Sequence, residues 1–280
     1  ENDKKRDYIK IWNSRLFLHI DNDDNPISLA EAYIMPNYEM LKSIKRIGFF
    51  DDDSFDQIID KFIKHDRTST MLITGVPGIG KSTITSWIAN KYKDDERVII
   101  LRFRDWKRKE LEEGLLNAIC HKLSCENESL ENRILILDGF DEMKTLNIRE
   151  KLLNDFINDI KDFENFKCII TSRTTYISSQ KLDNNIELCP FDYRQIGLFY
   201  KKITKRKLNG RIDDNNIDVF GIPVILYMAI MSDIDITKNI TKPKLYNRIF
   251  AEKDGIFDRF SHEGVAYSEG AHIFRDSRNT

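Results

Sequence analysis

Long apolar runs are missing from this sequence of 280 residues. The longest candidate, at 222–231, is about half of the roughly 18–20 residues that a membrane-spanning helix needs. The first residues also lack a signal-peptide pattern. An initiating Met is missing too, so we expect a fragment of a longer chain or a trimmed product. The sequence therefore predicts a protein that acts without a membrane.

Cysteines are also few, and the net charge is small. Four cysteines, at positions 120, 125, 168 and 189, form neither a CxxC pair nor a secreted disulfide framework, which favours a reducing cytoplasm. Cys120, His121 and Cys125 could form a metal cluster, but apolar packing is the favoured interpretation. Lys and Arg number 44 against 46 Asp and Glu, a net charge of −2. That balance argues against a protein that mainly coats nucleic acid.

Apolar periodicity predicts an α/β fold. Helices are expected over 7–45, with a break at 21–26, and again after residue 54. Five strands then alternate with helices, which indicates a mostly parallel five-stranded sheet covered on both faces, a three-layer sandwich. A small helical domain is expected to follow the sheet. The predicted boundaries are an N-terminal helical lead-in at 1–66, the sheet domain at 67–191, a helical domain at 192–255, and the start of a further domain or a tail at 256–280.

The first predicted strand leads into GVPGIGKST, which matches the Walker A pattern G-x-x-x-x-G-K-[ST]. Glycines let backbone N–H groups turn towards a phosphate, and the following helix begins with unsatisfied donors. Lys81 is expected to reach the β- and γ-phosphates, Ser82 to bind Mg²⁺, and Thr83 to contact the α-phosphate. The predicted nucleotide-binding residues here are Gly75, Val76, Pro77, Gly78, Ile79, Gly80, Lys81, Ser82 and Thr83.

Three carboxylates crowd the end of the strand in RILILDGFDEM. They would repel one another unless a cation lay nearby, and the Mg²⁺ of a bound nucleotide supplies one. Asp138 is therefore predicted to be the Walker B residue that holds Mg²⁺, through a water molecule. Asp141 or Glu142 is expected to activate the water that attacks the γ-phosphate.

A later strand ends in CIITSRTTY and brings a cation to the same edge of the sheet. Arg173 is the candidate for sensing the γ-phosphate, although an arginine that only caps the sheet edge is the alternative.

Other classes of phosphate-binding protein fit less well. A GTPase would carry NKxD, but NKYKD at 90–94 has one residue too many, and position 141 is Asp where DxxG needs glycine. Adenine nucleotides, ATP or ADP, are therefore favoured. A small-molecule kinase is disfavoured because further acids follow Asp138 so closely.

Taken in order, GVPGIGKST, FRDW, LILDGFDE, IITSR, IELCPFDYRQIGLFY and GIPVIL resemble the NACHT group of STAND NTPases, which are signal-transduction ATPases. The lead-in LAEAYIMPNYE is similar too, so the resemblance covers roughly 28–250. It implies that Pro223 packs against the adenine and that Tyr33 to Pro36 close its other side. The winged-helix histidine of the family has only His262 and His272 as candidates, and both are better interpreted as surface residues.

The resemblance also implies partners. Family members typically join an effector, a NACHT switch and a repeat-rich sensor, so the effector and sensor domains are expected elsewhere in the full chain. Bacterial relatives of this kind resemble Avs-type antiviral STAND proteins, which sense phage proteins and oligomerise. A slow ATPase switch in innate immunity, activated by a sensed protein ligand and forming a homo-oligomer, is the predicted function.

Two alternatives remain open. An AAA+-like motor or remodeller would hydrolyse ATP continuously, but no trans arginine finger or pore loop is identifiable in the sequence. The basic stretch KKITKRK at 201–207 could grip nucleic acid, but a solvated helix face is favoured because no aromatic platform accompanies it.

Overall fold

The computed structural model describes residues 3–16, 27–42, 53–143, 148–174 and 182–250. Strands within these ranges form one six-stranded sheet in the spatial order β1-β6-β2-β5-β4-β3. The strands are β1 Tyr38–Lys42, β2 Ser69–Thr74, β3 Val98–Arg102, β4 Ile134–Asp138, β5 Lys167–Ser172 and β6 Asn184–Leu188. All strands from β2 to β6 run parallel to their neighbours within that set. The predicted mostly parallel α/β sheet is confirmed.

The predicted number of five strands is wrong by one. Residues Tyr38–Lys42, which fall inside the helix predicted over 7–45, form an antiparallel edge strand paired with β6. Glu, Met, Leu and Lys in this stretch are good helix formers, so local propensity favours a helix. Pairing with β6, in which Met40 lies opposite Ile186, overrides that propensity.

Helices occupy both faces of the sheet and continue beyond it. Their bounds are α1 Asp3–Asn13, α2 Leu29–Ala32, α3 Phe55–Lys64, α4 Lys81–Lys91, α5 Leu115–Leu123, α6 Arg149–Asp159, α7 Tyr193–Thr204, α8 Asp214–Phe220, α9 Pro223–Met231 and α10 Lys242–Phe250. The helix predicted over 107–123 is split at Gly114, whose φ of +102° is incompatible with a continuing helix.

The strands bury alternate residues in two separate cores. Ile134 and Ile136 of β4 pack with α1, α3 and α4, whereas Leu135 and Leu137 pack with α5 and α6. Two helical layers therefore sandwich the sheet, as predicted.

A third core lies among the helices from α7 to α10. Ile27, Ala32 and Ile34 of the lead-in pack into it, whereas Tyr8 and Trp12 pack on the sheet. The lead-in thus contacts both parts of the molecule. The domain boundaries stay predictions, and 256–280, with His262 and His272, lies outside the described residues. None of the helices in the described ranges is long and apolar enough to cross a membrane.

Candidate nucleotide-binding site

The Walker A segment joins the end of β2 to the start of α4. Gly78 and Gly80 have φ values of +80° and +106°, which residues with a Cβ rarely adopt. Gly80 is the residue before the helix, and its carbonyl accepts from the Ile84 N–H at 2.9 Å. The first N–H groups of α4 therefore point into the loop without a partner in the helix, as an anion site requires.

Lys81 lies over this loop. Its Nζ donates to the carbonyl oxygens of Gly75 at 2.8 Å and Val76 at 3.2 Å. Burial lowers its pKa, and the negative charge of Asp141 opposes that shift. The ammonium group is thus held by backbone oxygens at the position where phosphates would bind.

The other Walker A residues divide between surface and core. Val76, Pro77 and Ser82 are exposed, Thr83 is half-buried beside Gly80, and Ile79 is buried beneath the loop. A Cβ on Gly75 would lie 2.8 Å from Ile79 and 3.3 Å from Leu188, so the absence of a side chain there lets the loop pack on the core beneath it.

Asp138 lies at the end of β4 with 6% of its surface exposed. Its carboxylate accepts four hydrogen bonds, all from hydroxyl groups: Tyr8 at 2.6 Å, Ser82 at 3.0 Å, Thr85 at 3.1 Å and Thr171 at 2.6 Å. Each of these four partners is neutral. They satisfy the carboxylate oxygens without cancelling its negative charge, so the group can attract a cation.

The donors fit Mg²⁺ in character. Ser82 and Asp138 offer oxygen ligands 3.0 Å apart, and Mg²⁺ in nucleotide sites commonly uses one or two protein oxygens together with phosphates and water. Within the described ranges, no group of three or more His, Cys, Asp or Glu side chains could hold a metal. The candidate cluster at Cys120, His121 and Cys125 therefore gains no support, and the Cys120 thiol instead donates to Asn127.

Arg173 and Asp141 form an ion pair. The Nε of Arg173 lies 2.8 Å from Oδ2 of Asp141, and the backbone N–H of Arg173 donates to Oδ1 at 3.2 Å. The Asp141 side chain is 6% exposed, whereas that of Arg173 is 47% exposed. Asp141 therefore holds the arginine at the edge of the sheet.

Glu142 differs from Asp141 although the two are adjacent. Its carboxylate accepts no hydrogen bond from any residue that the structure describes, and it packs against Gly139, where a Cβ would lie 3.1 Å from its Cδ. Desolvation of the carboxyl raises the pKa of Glu142; the charge of Arg104 lowers it, while those of Asp138 and Asp141 raise it further. The residue as a whole is exposed, so water can reach it. A carboxylate with a raised pKa and access to water is suited to accept a proton.

Pro223 is the first residue of α9 and is half-buried. The next residue contacts the Walker A loop directly, since the Val224 N–H donates to the carbonyl of Gly78 at 3.3 Å. A Cβ on Gly78 would lie 2.2 Å from Cγ1 of Val224. The helical region therefore closes on the phosphate loop, with Pro223 beside the contact.

The lead-in residues predicted to face the adenine are held between the two parts of the molecule. The Tyr33 ring stacks on Trp87 of α4 with centroids 6.3 Å apart, and the Tyr33 carbonyl accepts from Lys202 of α7 at 2.7 Å. The Met35 carbonyl accepts from Gln195 of the same helix at 2.8 Å. The lead-in thereby engages Lys202, one cation of the basic stretch 201–207.

The sequence argument missed three residues of this site, and it placed a fourth, Thr171, at this edge of the sheet without pairing it with Asp138. Tyr8, Thr85 and Thr171 bond to Asp138, and Val224 contacts Gly78. A hydroxyl near the end of a strand or one turn into the Walker A helix was a usable signal for Thr171 and Thr85. Tyr8 gave no signal because it lies 130 positions from its partner.

This geometry defines a class: a P-loop nucleotide-binding α/β domain, with a Walker A loop, a Walker B aspartate and a second acid at one edge of a parallel sheet. The model of the NACHT domain matches residues 69–206. The chain therefore contains a NACHT domain over these residues, which confirms the predicted resemblance to the NACHT group, whereas the resemblance to Avs-type proteins stays a prediction.

Two of the similar solved structures are distant from this chain in sequence. A structure of a RuvB variant from Thermotoga maritima shares 19% identity over 69% of this chain and 66% of that chain, with a TM-score of 0.37. AMPPCP-bound DnaA from Aquifex aeolicus shares 14% identity over 62% of this chain and 59% of that chain, with a TM-score of 0.40. The chain thus spans less than two thirds of these proteins. No curated protein matched it.

The unequal environments of the two acids predict unequal mutants. Glu142→Gln should retain nucleotide but lose ATP cleavage, because the base is removed without loss of volume. In the wild type, cleavage should rise with pH through the raised pKa of Glu142, since the protonated carboxyl cannot accept a proton. Phosphate release measured across pH tests both points.

Asp141→Asn is the matched control, because the amide oxygen can still accept from Arg173. It should lower the rate while keeping the same rise with pH. Normal cleavage by Glu142→Gln, or loss of the pH dependence in Asp141→Asn instead, would assign the base to Asp141.

Proposed function

We propose that this chain is the ATP- and ADP-binding switch of a larger STAND protein, with slow Mg²⁺-dependent ATP hydrolysis that resets it. The observation that carries the proposal is the hydrogen bond from the Val224 N–H to the Gly78 carbonyl. It joins the start of α9 to the loop that holds phosphates. A nucleotide that changes this loop therefore has a direct contact through which to favour one arrangement of the helical region.

The residues of the chain have separate roles in this proposal. Lys81 and the N–H groups of the loop bind the phosphates, and Glu142 accepts the proton of the attacking water. Ser82 and Asp138 would hold Mg²⁺, which neutralises phosphate charge when bound. Pro223 and the segment from Tyr33 to Pro36 would lie on opposite sides of the adenine.

Slow hydrolysis follows from the ion pair at the sheet edge. Arg173 must leave Asp141, or extend past it, before its guanidinium can stabilise the γ-phosphate. Because the Arg173 side chain is 47% exposed, breaking the pair costs about 1 kcal/mol, which lowers a rate by roughly fivefold. The resting geometry thus suits a regulatory ATPase rather than a metabolic one.

The wider setting of the proposal is cytoplasmic bacterial defence against phage. Its support is the resemblance of the ordered motifs to Avs-type STAND proteins. In that setting an effector and a sensor belong to the same chain, a phage protein is the sensed ligand, and ATP exchange drives assembly into a homo-oligomer.

The first experiment identifies the nucleotide that copurifies with the protein, by denaturation and chromatography, together with steady-state ATP turnover. We expect retained ADP and turnover well below the roughly 10 per second that is typical of enzymes. Lys81→Ala is the control and should release no nucleotide. An empty site with sustained turnover would instead indicate a motor.

The contact between α9 and the loop can be tested by substitution. Gly78→Ala should weaken ADP binding by about tenfold or more, because its Cβ would clash with Val224 at a backbone angle that alanine rarely adopts. Gly78→Ala combined with Val224→Ala should recover part of the loss, since the nearest clashing atom is removed. Isothermal titration with ADP measures both.

Val224→Ala alone is the control and should bind ADP nearly as the wild type does. No recovery in the double variant would mean that the loss reflects backbone strain only, and that α9 does not communicate with the loop.

Assembly is tested by light scattering on Glu142→Gln, which is expected to hold ATP without cleaving it. ATP should increase the mass of this variant and ADP should not. If the full-length protein, bound to ATP and to its sensed ligand, remains a monomer in this measurement, the proposed homo-oligomer is wrong.

A further inference from the structure

Helix α1 reaches the metal end of the site from outside the matched NACHT residues. Its Tyr8 hydroxyl donates to Oδ2 of Asp138 at 2.6 Å. Both side chains are buried, with 2% of Tyr8 and 6% of Asp138 exposed. A tyrosine from the lead-in is therefore part of the immediate surroundings of the Walker B carboxylate.

Polar contacts of two residues that precede Tyr8 fix α1 in this position, together with an arginine over the Tyr8 ring. The Lys4 ammonium lies 2.9 Å from the Asp105 carboxylate, and Lys5 donates to the Asp95 carbonyl at 2.7 Å. The guanidinium of Arg102 lies 5.8 Å from the centre of the Tyr8 ring. The hydroxyl is consequently presented to Asp138 by a docked helix and not by a loose segment.

The acceptor positions on Asp138 are all in use. An ionised carboxylate has about four lone-pair positions, and four hydroxyls donate to this one, two to each oxygen. The Tyr8 hydroxyl is the donor in its pair with Oδ2, because a carboxylate oxygen can only accept. An outer-shell contact from hydrated Mg²⁺ to Asp138 requires one of these donors to leave.

Two of the donors have reasons to stay. Thr171 accepts from the Gly139 N–H at 2.9 Å, which directs its own proton to Asp138. Ser82 can donate to Asp138 while its lone pairs face a metal. Thr85 has a second acceptor in the Lys81 carbonyl at 3.4 Å, but it bonds to Oδ1 and not to the oxygen that Tyr8 shares with Ser82. Tyr8 alone among the four belongs to an element outside β4, β5 and the Walker A helix.

We propose that Tyr8 is a positioning residue that competes with hydrated Mg²⁺ for Oδ2 of Asp138, so that α1 tunes the metal requirement of nucleotide binding. This inference rests on the proposed nucleotide-binding function. By reciprocity, Mg²⁺ that binds with the nucleotide weakens the hydrogen bond between Tyr8 and Asp138, and so weakens the docking of α1 on the site. The lead-in thereby responds to the metal and nucleotide state.

The test measures ADP affinity by isothermal titration in EDTA and in saturating Mg²⁺, and takes the ratio of the two dissociation constants. Tyr8→Phe removes only the hydroxyl. Mg²⁺ should then improve ADP affinity by on the order of tenfold more than it does in the wild type, because one charged hydrogen bond no longer opposes the metal. Affinity in EDTA should change little.

Tyr92→Phe is the matched control. It removes another partly buried tyrosine hydroxyl that donates to a carboxylate, that of Asp60, away from Asp138. The ratio should equal that of the wild type. An unchanged or smaller Mg²⁺ effect in Tyr8→Phe, with ADP binding intact, would overturn the role of Tyr8 alone. Absence of ADP binding by the wild type under both conditions would overturn the proposed function as well.

A second measurement needs no substitution. Hydrogen exchange of the α1 amides, compared for wild type with ADP in EDTA and with ADP in Mg²⁺, should be faster with Mg²⁺. Equal or slower exchange with Mg²⁺ would contradict the competition. In Tyr8→Phe the difference should vanish.

Discussion

The carboxylate of Asp138 is the constraint on which the site depends. A buried charge without compensation costs several kcal/mol, and hydrogen bonds are the usual compensation. Here the compensation comes from hydroxyls of α1, α4 and β5, so these elements and β4 must meet correctly at one side chain. Since all of these donors are neutral, the arrangement satisfies the oxygens without cancelling the charge. The same feature that organises the fold thus leaves a negative site for a cation.

The sequence indicated most of the sheet, because its central strands are fully buried. In β2, β4 and β5 every residue is buried, and such strands read as continuous apolar runs. The edge strand β1 could not be found in this way. Its residues favour a helix locally, and it is a strand only because it pairs with β6. In the sequence, β6 lies beyond both nucleotide-binding segments. A local pattern of apolar residues cannot indicate pairing between strands so far apart in the sequence.

The residues of the candidate site also divide into those that a local sequence pattern indicates and those that only a long-range contact reveals. The Walker A loop and the three acids lie in two short segments whose spacing is itself the signal. Tyr8 and Val224 lie far along the chain from the residues they contact, and each is an ordinary member of an amphipathic or apolar helix in the sequence. Asp141 and Glu142 were indistinguishable as neighbours in DGFDE. They separate only when Arg173, from another strand end, pairs with one of them.

The contacts of α1 and α9 are too weak to act singly as a switch. A net hydrogen bond contributes about 0.5–1.5 kcal/mol, and one to a charged group about 1.5–3 kcal/mol. Inverting a two-state population from roughly 1:99 to 99:1 needs about 5.5 kcal/mol. Tyr8 and Val224 together therefore fall short, and the rest must come from apolar packing that changes with them. Tyr33 is placed for this, because its ring packs on the Walker A helix while its carbonyl is bound by α7. In the proposed switch, the nucleotide would therefore have to disturb the loop, the candidate metal site and this packing at once.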